Sequence, residues 1–229
     1  MADGRDPLHA AYLHGQNYLS VFSELACRLP EFEAYRAIVA EAEDDYVPGW
    51  PPMSPVSVRF FTSWAFLDLA IGDAGGTICS CAREIGQALG MSDDLALTLD
   101  VMGQSAMGIY EHLGWQEGVV GLRDILDGQI YPCIVPSNFR VLPGEILYVM
   151  LLHPLNASFR YGVACTSPYV LLGSTKEDWL AFFDRQDKGL PRVAAADDPV
   201  LRRQAILKRG PEPNYWNEYV FLAYHDAQD

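Results

Sequence analysis

The chain has 229 residues, half of them hydrophobic and 12% aromatic, which is enough to bury one large core or two small ones. Sixteen Lys and Arg against thirty Asp and Glu give a formal net charge of -14. A field of this sign repels phosphate backbones and anionic lipid headgroups, so we expect neither nucleic acid nor a membrane as a partner.

The acidic residues are unevenly placed along the chain. Residues 1–104 hold fifteen Asp and Glu against five Arg, whereas 105–229 hold fifteen against eleven basic residues. A basic partner would prefer the first half; the alternative is ordinary solubility charge. The one local basic cluster, LRRQAILKRG at 201–210, is either a contact for that acidic half, within the chain or across a dimer, or a solvated helix face.

The start of the chain and its cysteines indicate a cytoplasmic protein. MADGRDPLHAAYLHG lacks a basic region followed by an apolar run, and the apolar run Ile146–Leu152 is far short of a membrane span. Five cysteines at scattered spacings favour reduced thiols over a disulfide framework. Arg is much commoner than Lys, which hints at a bacterial source of high GC content.

The first 104 residues have the apolar spacing of helices. Asp6-Pro7 is a start signal, after which an apolar stripe runs through Leu8, Tyr12, Leu19, Phe22, Leu25 and Leu29 to Pro30. VRFFTSWAFLDLAI is apolar nearly all round, and Ser54-Pro55 before it favours a buried helix over a buried strand. Thr77 and Ser92 can cap two further helices, and Gly90 can end the first of them.

From Ala106 the period changes to that of strands. Six short β-rich segments follow one another: MGIYEHLGW, EGVVGLRDIL, QIYPCIVP, EILYVMLL, FRYGVACT and PYVLLG. Asp127-Gly128 and Pro143-Gly144 mark turns, the first being a strong hairpin signal because it needs positive φ. The pattern resembles that of SH3-like and OB-like small barrels, which implies an architecture without fixing a function.

Helical signals return after the strands. Ser174-Thr175-Lys176-Glu177 has the pattern of a capping box, and Asp198-Pro199 and Asn214 can begin two more helices beyond a linker at 188–199. The expected fold is α+β: a helical region over 1–104, a small antiparallel β-barrel or strongly curled sheet over 105–173 (strands at about 106–172), and C-terminal helices over 174–229 packed back into one compact unit.

The common catalytic and metal motifs are missing from the sequence. Cys79 and Cys81 lie two residues apart, and on a helix they would point roughly 200° from each other, so they predict no zinc site. HExxH, GxSxG, GxxxxGK[ST] and GxGxxG do not occur. We therefore expect no metal or cofactor and lean against an enzyme. The remaining catalytic option is a spatial cluster of Cys133 or Cys165 with His112 or His153.

Aromatic and basic residues supply the candidate binding positions. Trp50, in the proline-stiffened loop VPGWPPMSP, is either an anchor for a partner or a plug over the protein's own core. Barrel residues that could contact a ligand or partner are Tyr110, His112 and Arg160. The expected function is that of a non-enzymatic interaction or regulatory protein, with a homodimer as one possible assembly. The alternative is an enzyme or small-ligand protein with a pocket between helices and barrel, lined by Trp64, Tyr110, His112 and His153.

Overall fold

The computed structural model describes residues 6–46, 55–70, 76–105, 107–136 and 140–186. The chain divides into two compact units. A helical unit contains residues 1–105 together with 152–163, and a barrel unit contains 106–151 together with 164–229. Within the described ranges, no helix is both long enough and apolar enough to cross a lipid bilayer.

The described residues of the helical unit form five α-helices, three of which begin at the caps expected from the sequence. They are α1 (Pro7–Ala26), α2 (Glu33–Tyr46, after a short 3-10 turn), α3 (Pro55–Leu67), α4 (Ile78–Ala88) and α5 (Asp93–Gln104). Asp6 accepts the His9 amide, Thr77 accepts the Ser80 amide and Ser92 accepts the Leu95 amide. These caps satisfy amide groups that the first helical turn leaves without intrahelical acceptors.

Small residues let α1 approach its neighbours closely. A methyl group at Gly15 would lie 2.7 Å from Met102 Sδ and 3.0 Å from Thr98 Cγ2, both on α5. At Gly86 on α4 a methyl group would lie 2.5 Å from the Tyr18 hydroxyl oxygen of α1 and closer still to Met91. Glycine at both positions therefore allows helix packing that any larger residue would push apart.

Residues 152–163 return to the helical unit between two strands. The Tyr12 hydroxyl of α1 donates to the His153 carbonyl, and the Tyr161 hydroxyl donates to Asp6 Oδ2 at 2.5 Å. Both hydrogen bonds hold this segment against the N-terminal half of α1. The helical unit is thus completed by residues about 150 positions further along the chain.

The described part of the barrel unit contains six strands, at the six positions predicted from the sequence. They are β1 (Met107–Gln116), β2 (Val119–Asp124), β3 (Ile130–Ile134), β4 (Ile146–Leu152), β5 (Gly162–Ala164) and β6 (Tyr169–Val170). The sheet order is β1-β2-β3-β5-β4-β6, and β1 also pairs with β4, which closes five strands into a barrel. Gly128 (φ 75°) and Gly144 (φ 95°) have the positive φ that the predicted turns require.

The closed barrel corrects one feature of the predicted sheet. β1 pairs antiparallel with β2 and β4, and β2 pairs antiparallel with β3, but the barrel as a whole is mixed instead of wholly antiparallel. The reason is that β3 and β5 are neighbours in the sheet although β4 separates them in the chain. Local turn signals predict hairpins between consecutive strands and do not indicate that β3 pairs with β5.

The barrel interior is apolar and is formed by alternate residues of its strands. Its core consists of Tyr110, Val120, Leu122, Cys133, Leu147, Val149, Leu151 and Ala164. All seven residues of β4 are buried, so both faces of this strand are covered. Such two-sided burial accounts for an uninterrupted apolar run where a one-sided strand would alternate.

One helix follows the barrel strands within the described residues: α6 (Lys176–Gln186). Its capping box uses Thr175 and Asp178, one residue later than the Ser174 and Glu177 pair that the sequence pattern suggested. Ser174 instead accepts a hydrogen bond of 2.9 Å from the indole of Trp179, which is fully buried. The linker 188–199, the basic segment 201–210 and the two last predicted helices lie outside the described residues.

Candidate interaction surface

Helix α1 carries two rows of apolar side chains that face different directions. The first row is buried and consists of Leu8, Tyr12, Gly15, Leu19 and Ala26. The second row lies roughly 120° around the helix and consists of Val21 and Leu25, each 57% exposed, continued past the helix end by Leu29, 49% exposed. We call Val21, Leu25 and Leu29 the exposed row.

Helix α4 contributes two more exposed apolar side chains where it meets α1. Tyr18 of α1 donates a hydrogen bond of 3.3 Å to the Ala82 carbonyl and packs over Gly86. Ile85, next to Gly86, is 44% exposed, and Leu89, four residues after Ile85 and just past the end of α4, is 83% exposed. We call the exposed row together with Ile85 and Leu89 the α1–α4 surface.

The α1–α4 surface concentrates the exposed apolar side chains of the described residues. Ten large hydrophobic residues are exposed, and five of the ten belong to it. The other five lie elsewhere: Leu97 on α5 and Trp115, Ile130, Leu142 and Leu172 in the barrel unit. Scattered exposed leucines are normal in soluble proteins, but several on two contacting helices and the residues just after them need an explanation.

Acidic side chains surround this surface, and its nearest cations are already paired. Arg28 contacts Glu24 at 2.9 Å, and Arg83 makes a two-pronged contact with Asp100 at 2.8 and 3.1 Å. Glu31 and Glu33 follow the exposed row, and Glu84 precedes Ile85; all three are exposed. The field around the apolar side chains is therefore negative, which favours a positively charged neighbour.

The predicted site residues are spread over both units and differ in exposure. Trp64 on α3 and His112 on β1 are fully buried, and Tyr110 is 6% exposed in the barrel core. His153 is half-buried and Arg160 exposed in the segment that belongs to the helical unit. Trp50 lies outside the described residues. Tyr110 and His112 lie on the same face of β1, and the binding roles of all six residues stay predictions.

Two observations bear on the predicted thiol chemistry and metal sites. Burial raises the pKa of Cys133 to about 12, which leaves almost no thiolate at neutral pH for nucleophilic attack. Cys79, on helix α4 as expected, donates from its Sγ to the Leu99 carbonyl at 3.3 Å. Among the described residues, no group of three or more His, Cys, Asp or Glu is placed to hold a metal ion.

One buried acid is held at the turn between β2 and β3. Asp124 is 7% exposed, lies opposite Tyr110 in the strand register and accepts the Leu126 amide at 2.7 Å. Burial is the main cause that raises its pKa from 3.8 to about 6; the Leu126 amide opposes the shift, and the charge of Asp127 adds to it. This carboxyl therefore shapes the turn and makes barrel stability depend on pH.

The sequence analysis missed Val21, Ile85 and Leu89, and it placed Leu25 and Leu29 in one stripe with the buried residues. A helical wheel separates the exposed row from the buried one, because Leu25 lies roughly 120° from Leu19 and cannot face the same neighbour. Comparisons of the chain with protein-family models, with curated proteins and with solved structures found no match.

Proposed function

We propose that this protein is a non-enzymatic interaction protein that binds a partner protein through the α1–α4 surface. The observation that carries the proposal is the exposed row: large apolar side chains of a well-capped helix stay in water although the same helix buries a complete second row. Apolar area left uncovered on a stable scaffold costs solubility and is typical of binding sites. The high acid content of the surrounding helices offsets that cost.

The surface is built on a rigid support, which favours binding. Tyr18 and Phe22 stack beside the exposed row, with ring centroids 6.4 Å apart, and Phe22 meets Phe32 edge to face at 6.4 Å. These half-buried rings fix the base of the row against the turn that follows α1. A surface held in place before binding loses little conformational entropy when a partner docks.

Photocrosslinking tests the proposal directly. A photoreactive amino acid replaces Val21 in the full chain, and the protein is irradiated in extract of the cells that make it. We expect a discrete crosslinked product that disappears when Leu25→Ser is added, because a polar residue at the centre of the row removes an apolar anchor. Leu25 is 57% exposed, so this change leaves the fold intact.

The matched controls lie in the barrel unit. Leu172 is 61% exposed, so Leu172→Ser makes the same chemical change at a similar exposure in the other unit. The crosslink from Val21 should still form in the Leu172→Ser variant. Identical products from the wild type, the Leu25→Ser variant and the Leu172→Ser variant would overturn the proposal, and so would the lack of any discrete product.

A further inference from the structure

The chemistry of the α1–α4 surface also indicates what kind of partner it accepts; this inference rests on the proposed function. We infer that the surface binds a basic amphipathic α-helix of another protein. The partner's apolar row lies along Leu25, and its Lys and Arg side chains face the acids at the end of α1. Three observations support this inference: the spacing of the exposed row, the negative charge at one end of the row, and the ion pairs that compensate the nearby cations.

The spacing of the exposed row suits a helix. Val21 and Leu25, four residues apart, are separated by about 6 Å along the axis of α1, and Leu29 extends the row from the backbone beyond the helix end. Side chains at this interval form a ridge, and a second helix packs against such a ridge by fitting it into its own groove. An incoming helix would use anchors at positions i, i+4 and i+7, which repeat at nearly the same distance.

The end of α1 makes one end of the row strongly negative. The carbonyl groups of the last helical turn carry a partial negative charge, and the last turn of α1 contains no basic residue to offset it. Glu31 lies in the 3-10 turn just beyond, and Glu33 begins α2. Dipole and carboxylates therefore act together on whatever binds next to Leu29.

The cations near the surface do not oppose a basic partner. The charge of Arg28 is compensated by Glu24, and that of Arg83 by both oxygens of Asp100. Arg36, on α2, is exposed but follows Glu31 and Glu33 along the chain. A partner's Lys and Arg would thus meet an excess of carboxylates. This arrangement excludes an acidic helix and favours a basic one.

A peptide titration on the full chain tests the partner chemistry. The probe is a fluorescent 18-residue helix of Leu, Ala and Lys with the Leu residues on one face. One control peptide has the same composition in scrambled order, and another has Glu in place of Lys. We expect anisotropy to show binding of the probe at least about tenfold tighter than that of either control, since apolar alignment and charge must both be present.

Variants of the chain then assign the binding to the surface. Leu25→Ser should weaken probe binding about tenfold, and Glu31→Lys combined with Glu33→Lys should weaken it about fivefold and flatten its salt dependence. The matched changes Leu172→Ser and Glu117→Lys, in the barrel unit, should alter it less than about twofold. All five positions are exposed, so folding is not at risk.

Three outcomes would overturn the inference. Equal binding of the scrambled peptide would reduce the effect to general charge attraction. Loss of the natural crosslink in Leu25→Ser, with no effect of the double charge reversal on crosslink or probe, would leave the proposed function standing and refute a basic partner. Finally, the basic residues of 201–210 can be replaced by Gln; much tighter probe binding would then identify that segment as the occupant.

Discussion

Helix α1 and strand β4 are both apolar, but the structure uses their apolar residues differently. Every side chain of β4 is buried, and the strand lies inside a closed barrel with neighbours on both edges. Helix α1 buries one row and leaves Val21 and Leu25 more than half exposed. Internal packing therefore accounts for the composition of β4 completely and for that of α1 only in part. We place the binding function at the exposed apolar residues of α1, which internal packing does not account for.

The largest expected effect separates the two regions by stability. Leu147 is fully buried in the barrel core. Leu147→Ala should lower the free energy of unfolding by about 3 kcal/mol, because the cavity adds to the lost burial. Leu25→Ala should cost less than about 0.5 kcal/mol, since its side chain is already in water. Urea unfolding of both variants measures the difference. Equal losses would mean that the exposed row is part of the core and would break the comparison.

A pair of glycine substitutions tests how tightly α1 and α4 are packed. Gly86→Ala places a methyl group 2.5 Å from the Tyr18 hydroxyl oxygen and closer still to Met91 Cε, so we expect a loss of about 2 kcal/mol as both side chains are displaced. Gly103 on α5 is the control, because a methyl group there lies 3.8 Å from Cys79 Sγ, an ordinary contact. Gly103→Ala should gain a few tenths of a kcal/mol from helix propensity. Thermal unfolding compares them, and a neutral Gly86→Ala would show that α4 does not support the exposed row.

The buried acid of the barrel should give its stability a pH dependence. The folded pKa of Asp124, about 6, is higher than its ordinary value of 3.8, so the folded protein holds this proton more tightly than the unfolded chain does. The resulting stabilisation is complete below about pH 4 and is lost as the pH rises through about 6. Asn keeps an oxygen for the Leu126 amide but has no proton to lose.

We therefore expect Asp124→Asn to exceed the wild type in unfolding free energy by about 1 kcal/mol at pH 7.5, with the difference vanishing toward pH 4. Urea titrations at several pH values measure it. Asp127→Asn, at an exposed position of the same turn, is the control and should show a much smaller change in slope. A difference that does not vary with pH would show that Asp124 is not protonated in the folded barrel near pH 6.

The smallest expected effect concerns the turn between β1 and β2. Glu117 has a φ of 53° and Gly118 a φ of 83°, the left-handed conformations of a two-residue hairpin turn. Asn adopts this conformation at lower cost than Glu, so Glu117→Asn should stabilise the barrel by about 0.5 kcal/mol. A small rise in melting temperature would confirm it, and Gln116→Asn, in the neighbouring strand position, should give no rise. A fall for Glu117→Asn would mean that the carboxylate itself stabilises the turn.

Local signals predicted much of the fold, because caps and turns depend on a few adjacent residues. Asp6, Thr77 and Ser92 cap the helices as expected, and Gly90, with a φ of 88°, ends one as expected. The strands also lie where alternation and turn residues predicted them. The pairing of β3 with β5 was beyond this reasoning, since it joins strands about 30 positions apart with β4 between them in the chain.

The candidate surface was harder to predict than the fold. Helical spacing identifies the apolar residues of α1, but periodicity gives only the direction of a side chain and not what covers it. Leu19 and Leu25 therefore look alike in the sequence, although one is 1% and the other 57% exposed. The sequence alone shows the excess of acidic residues in the first half of the chain. That some of them lie beside an exposed apolar row is known only from the positions of α1 and α4.

The return of residues 152–163 to the helical unit has a consequence for how the protein is made. Because β4 and β5 flank this segment, neither unit has all its residues until the ribosome has reached position 163. Before β4 and β5 are made, the β1-β2-β3 meander has two unpaired edges, and before residues 153–161 are made, α1 and its cap Asp6 lack their hydrogen bonds to His153 and Tyr161. The helical unit has all its residues only at position 163 and the barrel unit later still, so a nascent chain stalled near residue 150 should be the form most exposed to proteases and chaperones.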